Sequence, residues 1–179
     1  MRASGSSAWT GCRRSRTITW RNIRYGGTVA GAPLRHHSVA EAADLPFAML
    51  EAYDRHLFPA ARTAFLRFWL HTPGHTGLAL MRGSDIAGYG VIRACREGHK
   101  VGPLFADDAG AADLLFDALA GAVGGGTVFL DVPEPNAGAR ALAEARGMVP
   151  SFETARMYAR GRPDLPVGRM FGVTSFELG

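Results

Sequence analysis

The stretch KVGPLFADDAGAADLLF, residues 100–116, constrains the fold more than any other part of this chain. Its first seven residues predict a short apolar strand, and from residue 109 to 123 apolar side chains recur at helical spacing. The segment TVFLDVP, residues 127–133, predicts another strand. A strand, a helix and a strand in this order form a right-handed crossover between two parallel strands. The fold therefore contains a parallel pair, which excludes a purely antiparallel sandwich.

Further helices and strands flank this crossover unit. The other expected helices are residues 40–53, 59–71 and 137–146. The other expected strands of the domain are residues 77–83, 86–98, 151–160 and 169–178. This order predicts an α+β, three-layer fold with one mixed, mostly antiparallel twisted sheet and helices on both faces. In the second helix, Phe65, Phe68 and Trp69 form the expected buried face.

Charge is distributed unevenly along the chain. Residues 1–40 contain seven arginines and no acidic residue, so the remainder carries thirteen basic and sixteen acidic side chains. A nucleic-acid-binding domain needs a basic face on its folded body, so we expect no nucleic-acid partner. Every apolar run is far shorter than the roughly 20 residues that span a bilayer, so we expect no membrane association.

The N-terminal part differs from the rest in composition as well as charge. Its arginine- and serine-rich start is typical of a transit peptide, but the alternating segment 17–25 predicts a strand. We expect residues 1–17 to be disordered and residues 28–39 to form a linker. Two cysteines form neither a disulfide framework nor a metal pattern, which favours the reducing cytoplasm.

Several short segments resemble one family. NAGARALAEARGM, residues 136–148, is similar to the segment of GNAT superfamily N-acetyltransferases in which an asparagine precedes a helix closed by a glycine. The segments GPLFADD, DVPEPN, TARMY and FGVTSFELG resemble the C-terminal halves of bacterial proteins with two GNAT domains in tandem. The segment WRNIRYGG resembles the last strand of the preceding domain. The resemblance implies a GNAT-like domain over residues 40–179, and the remnant of another within residues 1–39.

The resemblance also implies a reaction. An acetyl group passes directly from acetyl-CoA, the co-substrate, to a small-molecule or peptide amine in a ternary complex, without a metal. Backbone N–H groups at Leu104 and Phe105 would polarise the thioester carbonyl. The loop into the next helix would bind the pyrophosphate, through Ala106, Ala109, Gly110 and Ala111. Asn136 would contact the CoA arm, or only cap the helix that it precedes.

Two departures from the family pattern favour a second hypothesis. GNAT phosphate loops carry a basic or amide residue and a glycine where this chain has Ala106 and Ala109, and the usual helix tyrosine is replaced by Ala143. Tyr158 or Tyr89 is a candidate for the missing general acid, although aromatic strand residues also belong to cores. The alternative function is a catalytically silent GNAT-like domain that recognises a ligand or holds a partner domain.

Acidic residues at the end of the strand 127–133 are candidates for proton transfer. Asp131 and Glu134 lie where open sheets place their ligands. They suit a base and a carboxylate that binds the amine, and the alternative is an acidic, proline-rich turn. Asp107 and Asp108 lie where the pyrophosphate is expected. A carboxylate about 5 Å from a phosphate charge costs roughly 3 kcal/mol at an effective dielectric near 20, unless one of them caps the helix instead.

The strand predicted at residues 17–25 bears on assembly. If its own sheet is absent, the strand presents an unpaired edge, and such an edge favours pairing with another chain. We therefore expect either a homodimer or association with a missing N-terminal GNAT domain.

Overall fold

One mixed sheet organises the part of the chain that the computed structural model describes, residues 17–32, 36–158 and 163–177, with side chains from residue 20 onward. The strands are β1 Thr17–Val29, β2 Val39–Glu41, β3 His75–Arg82, β4 Asp85–Ala94, β5 His99–Ala106, β6 Gly126–Pro133, β7 Val149–Tyr158 and β8 Met170–Gly172. The α-helices are α1 Phe47–Arg55, α2 Thr63–His71, α3 Ala109–Ala122 and α4 Ala137–Ala145. The strand order is β2-β3-β4-β5-β6-β1-β7, and β8 pairs with β5 outside this path.

The predicted fold class is confirmed. Strands β3, β4 and β5 form an antiparallel meander, whereas β5 and β6, joined through α3, are parallel. Helices α3 and α4 contribute Leu115 and Leu142 to one apolar cluster, and α1 and α2 contribute Leu50 and Leu66 to a second. Because alternate residues of a strand point to opposite faces, the central strands supply side chains to both clusters. The sheet is thus covered by helices on its two faces.

Strand β1 lies inside the sheet, between β6 and β7, and is antiparallel to both. Residues 17–26 pair with β7 and residues 22–29 with β6, so the expectation that this strand lacks a sheet of its own is wrong. Tyr25 is buried, pairs with Leu130 and donates a hydrogen bond to Glu144 Oε1 at 3.1 Å. The strand also continues through Thr28 and Val29, which the sequence assigned to a linker. The predicted disorder of residues 1–17 lies, except for Thr17, outside the described residues.

The first two helices differ from their predicted bounds. Residues 39–41 form β2, residues 42–44 a 3₁₀ turn, and α1 begins only at Phe47. Pro46 explains this, because a proline disfavours helical geometry at the preceding residue, and Leu45 is extended.

Helix α2 begins at Thr63 rather than Pro59, and its buried side chains are Leu66 and Leu70. The predicted buried face is wrong for Phe68, which is 66% exposed. Leu66 and Leu70 are one helical turn apart and meet the core together. Near the C-terminus, only Met170–Gly172 of the strand predicted at 169–178 form a strand.

A substitution tests the place of β1. Tyr25→Ala is expected to lower the free energy of unfolding by about 3–5 kcal/mol, because it empties a large buried volume. Tyr25→Phe removes only the hydrogen bond to Glu144 and is expected to cost about 1 kcal/mol. Urea denaturation measures both, with Phe68→Ala as an exposed aromatic control. A loss in Tyr25→Ala no larger than in the control would remove β1 from the sheet interior.

Candidate functional site

Strands β5 and β6 lie side by side for only part of their length, and this opens a cleft in the middle of the sheet. Their pairing covers residues 99–101 of β5 and 128–130 of β6. Beyond these residues the strands separate toward their C-terminal ends, where the loop before α3 and the turn before α4 are found. Leu104, Phe105 and Ala106 follow on β5, and all three are fully buried. Neighbouring strand ends are where open sheets bind ligands, so this cleft is the candidate site.

The start of α3 closes one end of the cleft, and Asp108 caps it. Its Oδ1 accepts a hydrogen bond from Ala111 N at 2.8 Å, and Arg82 Nη2 donates to its Oδ2 at 2.9 Å. The Ala111 N–H and then Arg82 lower the pKa of the Asp108 carboxyl. The capping interpretation of the sequence is therefore correct for Asp108. Ala109 and Gly110 are exposed in the first turn, and Ala111 is buried.

Asp107 points away from the start of the helix. Tyr53 Oη donates a hydrogen bond to its Oδ1 at 2.9 Å, and the guanidinium of Arg169 forms an ion pair with the same oxygen. Burial raises the pKa of the Tyr53 hydroxyl, so Tyr53 remains a donor at neutral pH. Each aspartate of the loop thus has its own arginine, Asp107 with Arg169 and Asp108 with Arg82.

Asn136 lies at the opposite wall of the cleft, at the start of α4. Its Oδ1 accepts a hydrogen bond from Ala139 N at 3.0 Å, so it caps the helix. Its Nδ2 donates to the carbonyl oxygens of Val167, Gly168 and Met170 at 3.0–3.2 Å. Asn136 therefore combines the cap with contacts to a neighbouring extended chain, and that chain is the protein's own C-terminal part.

The space between the separated strands is filled by residues 165–177, here called the C-terminal segment. Within it, β8 pairs with β5, with Gly172 opposite Leu104 and Met170 opposite Phe105. On the other side, Val173 N donates to the backbone oxygen of Asp131 on β6 at 2.9 Å. Residues 170–175 are all buried. The segment thus bridges the two strands that the cleft separates.

Asp131 is held inside the sheet rather than facing the cleft mouth as a free carboxylate. It is fully buried, accepts hydrogen bonds from Arg24 Nε and Nη2 at 2.7 and 2.9 Å, and forms an ion pair with Lys100. Burial lowers the pKa of the Lys100 ammonium, although Asp131 opposes this effect. Both carboxylate oxygens have cationic partners, so Asp131 is the centre of a buried ion cluster.

Glu134 lies at the C-terminal end of β6 and is partly exposed. Arg21 donates to it from Nη2 at 2.5 Å, from Nε at 3.2 Å and from its backbone N at 3.1 Å. The guanidinium of Arg21 also bonds Glu153 at 3.0 Å. These contacts of Arg21 lower the pKa of the Glu134 carboxyl. Glu134 is therefore ionised, oriented and accessible at neutral pH.

The hydroxyls of Tyr158 and Tyr89, the two candidate general acids, bond to Arg156 and Asp54. Tyr158 pairs with Thr17 at the start of β1, four residues before Arg21, a rise of about 14 Å along the strand backbone at ~3.4 Å per residue. Its Oη accepts a hydrogen bond from Arg156 Nε at 2.6 Å beside a cavity of about 310 Å³. Tyr89 is fully buried in the core. The structure therefore does not bring either tyrosine to Glu134.

A buried network that the sequence did not indicate surrounds Tyr89. Its Oη donates to Asp54 Oδ1 at 2.5 Å, and Arg62 binds both oxygens of Asp54 at 2.6 and 2.8 Å. Arg62 Nη1 also donates to Thr174 Oγ1 of the C-terminal segment at 3.1 Å. Burial raises the pKa of Tyr89 well above its ordinary value. The only sequence signal was an aspartate beside the buried Tyr53 of α1, which is too weak to locate its partners.

No helix among residues 17–32, 36–158 and 163–177 is long and apolar enough to cross a membrane. Across the same described part of the chain, no group of three or more histidine, cysteine or acidic side chains could hold a metal ion.

Comparison with known proteins shows the family to which the chain belongs. Residues 50–172 match the family model described as Acetyltransferase (GNAT) domain. The chain belongs to the GNAT acetyltransferase family. It is 29% identical over 128 residues to holothin acyltransferase of Pseudoalteromonas sp. (strain SANK 73390), a match that covers 71% of this chain and 44% of that protein.

Solved structures show the same GNAT fold. A candidate acetyltransferase of Pyrococcus horikoshii has a TM-score of 0.74 at 21% identity, covering 92% of this chain and 53% of that one. A GCN5-related N-acetyltransferase of Sphaerobacter thermophilus has a TM-score of 0.58 at 16% identity, with 84% and 55% covered. This chain thus spans about half the length of the proteins it matches.

The cap of α3 makes a testable contribution to stability. Asp108→Ala is expected to lower the free energy of unfolding by about 1 kcal/mol at pH 7, whereas Asp108→Asn keeps an acceptor and costs less. Because folding lowers the pKa of Asp108, its stabilisation is full above the unfolded value of about 3.9 and is lost as pH falls through the folded value. Urea denaturation from pH 7 to 3 should show the gap to Asp108→Ala closing. Equal losses in both variants would contradict the cap.

Proposed function

We propose that this GNAT domain transfers an acetyl group from acetyl-CoA to an amine by direct attack in a ternary complex. The observation that carries the proposal is the cleft between β5 and β6, flanked by the starts of α3 and α4. Such a cleft offers strand backbone to a thioester and amide, and a helix start to an anion. The acceptor class is a small-molecule or peptide amine.

The donor is proposed to lie along β5. Backbone N–H groups at Leu104 and Phe105 polarise the thioester carbonyl, and Asn136 donates to a carbonyl of the pantetheine arm. The pyrophosphate is proposed to lie at the loop of Ala106, Ala109, Gly110 and Ala111. Arg82 of β3 offsets the charge of Asp108, which supports anion binding at the start of α3.

Glu134 is the proposed acceptor of the amine proton. It is ionised, oriented by Arg21 and accessible at the end of β6. Its low pKa makes it a modest base that remains available throughout the neutral range. Asp131, enclosed by two cations, instead positions the strands. Tyr158, whose hydroxyl bonds Arg156, is given no step in this proposal. A thiol of ordinary pKa, about 8.5, leaves readily as a thiolate, so the alanine at position 143 does not prevent reaction.

The matched proteins are longer than this chain, which bears on its place in a larger protein. The segment WRNIRYGG lies in β1, which completes the sheet of the domain, and the matched proteins are about twice as long. We propose that the chain corresponds to the C-terminal half of a cytoplasmic tandem-GNAT protein, with β1 as the last strand of the preceding domain. That domain is the partner we propose rather than a second copy, because the central part of β1 is already paired on both sides, with β6 and β7.

Calorimetric titration with acetyl-CoA tests the donor, and release of CoA thiol with a panel of amines tests the reaction. We expect saturable acetyl-CoA binding and amine-dependent thiol release. Binding without release for any amine would favour the catalytically silent alternative. Absence of binding, both in wild type and in the Gly172→Val variant that opens the cleft, would exclude acetyl-CoA as the donor.

Arg21 binds two carboxylates, Glu134 and Glu153, so one can be substituted as the test and the other as its matched control. Glu134→Gln is expected to lower kcat about 100-fold, within the usual range for a general base, with the Kd of acetyl-CoA unchanged. Glu153→Gln removes the other carboxylate partner of the same arginine and is expected to change kcat less than twofold. Steady-state kinetics and calorimetry measure the two effects. Similar kcat values in both variants would remove Glu134 from the mechanism.

A further inference from the structure

The C-terminal segment makes the contacts that the proposed donor needs. Its strand residues pair with Leu104 and Phe105 of β5, where the thioester would lie. Three of its carbonyl oxygens, from Val167, Gly168 and Met170, accept hydrogen bonds from Asn136 Nδ2. The pantetheine arm of CoA also carries amide groups, so an extended peptide and this arm compete for the same donors.

The segment also reaches the phosphate end of the cleft. The guanidinium of Arg169 forms an ion pair with Asp107 in the loop before α3. Phe171, two residues further on, packs against the start of α4, since a Cβ built on Gly138 would meet its ring at 3.3 Å. Both walls proposed for the donor are therefore in contact with the segment.

Side chains beyond β8 fix the segment at its other end. Thr174 accepts a hydrogen bond from the buried Arg62 at 3.1 Å. The ring of Phe176 lies beneath Arg24 at 4.6 Å and Lys100 at 5.3 Å, both partners of Asp131. Cation–π contacts of this kind stabilise a ring against the cluster. The segment is therefore anchored along its whole length.

We propose that the C-terminal segment is an autoinhibitory strand that occupies the donor cleft, so that acetyl-CoA binds only after residues 165–177 leave it. This inference rests on the proposed function. The segment and the donor exclude each other, so the apparent affinity for acetyl-CoA equals the affinity of the open cleft multiplied by the fraction of open molecules. An open fraction of about 1% therefore weakens binding about 100-fold.

Gly172 gives a way to open the cleft. A Cβ at this position would lie 2.6 Å from Leu130 Cδ1 and 3.2 Å from Leu104 Cβ, whereas one at Gly168 meets nothing within 4 Å. Gly172→Val is therefore expected to expel the segment, and Gly168→Val, in the same segment, is the matched control. By calorimetry, Gly172→Val should bind acetyl-CoA about 100-fold more tightly than wild type, and Gly168→Val should equal wild type.

A disulfide gives a way to close the cleft. The Cα atoms of Phe105 and Met170 are partners across the antiparallel pair, and such partners lie about 4.5–5.5 Å apart, within reach of a disulfide. Phe105→Cys/Met170→Cys, with Cys12→Ser and Cys95→Ser, is expected to lose acetyl-CoA binding when oxidised and regain it when reduced. Because one protein is compared in two redox states, this test holds even where Gly172→Val fails to fold.

The outcomes separate this inference from the proposed function. In wild type, saturating acetyl-CoA should also accelerate hydrogen exchange at the amides of residues 170–175. Equal acetyl-CoA affinity in the oxidised and reduced forms would overturn autoinhibition and leave acetyl-CoA as the donor. No binding in wild type, Gly172→Val and the reduced pair would overturn both the inference and the proposed function.

Discussion

The centre of the sheet depends on the buried carboxylate of Asp131. It binds Arg24 of β1 and Lys100 of β5, while the backbone oxygen of the same residue accepts a hydrogen bond from Val173. A buried charge that loses one partner costs several kcal/mol, so β1, β5 and β6 depend on one another through this carboxylate. The C-terminal segment is joined to the same residue only through its backbone oxygen, so its departure leaves both ion pairs in place.

The filled cleft bears on the two functional hypotheses, an acetyltransferase and a catalytically silent domain. The sequence raised that choice because Ala106 and Ala109 replace the usual phosphate-loop residues. In the structure, the wall residues of the cleft are in place and Asn136 donates to carbonyl oxygens. Under the proposed function, a donor would therefore meet an occupied cleft. Occupancy by the protein's own chain is reversible, so it is compatible with an enzyme.

Local patterns predicted the fold better than the site. The crossover around α3 and the caps at Asp108 and Asn136 depend on neighbours within a few residues, so the sequence shows them directly. The place of β1 depends on pairing between Asn22 and Pro133, more than a hundred residues apart, which no local pattern encodes. The same holds for Asp131: the sequence makes it a catalytic candidate, and only the fold brings its cationic partners Arg24 and Lys100 to it.

The two aspartates of the loop before α3 bind arginines from different parts of the fold. Asp108 keeps Arg82 whatever the segment does, because Arg82 belongs to β3. Asp107 binds Arg169, which belongs to the C-terminal segment, and Tyr53 of α1. In the proposed open state Asp107 keeps the Tyr53 hydroxyl and loses Arg169. Asp107 therefore favours the closed state through an ion pair that the open state lacks.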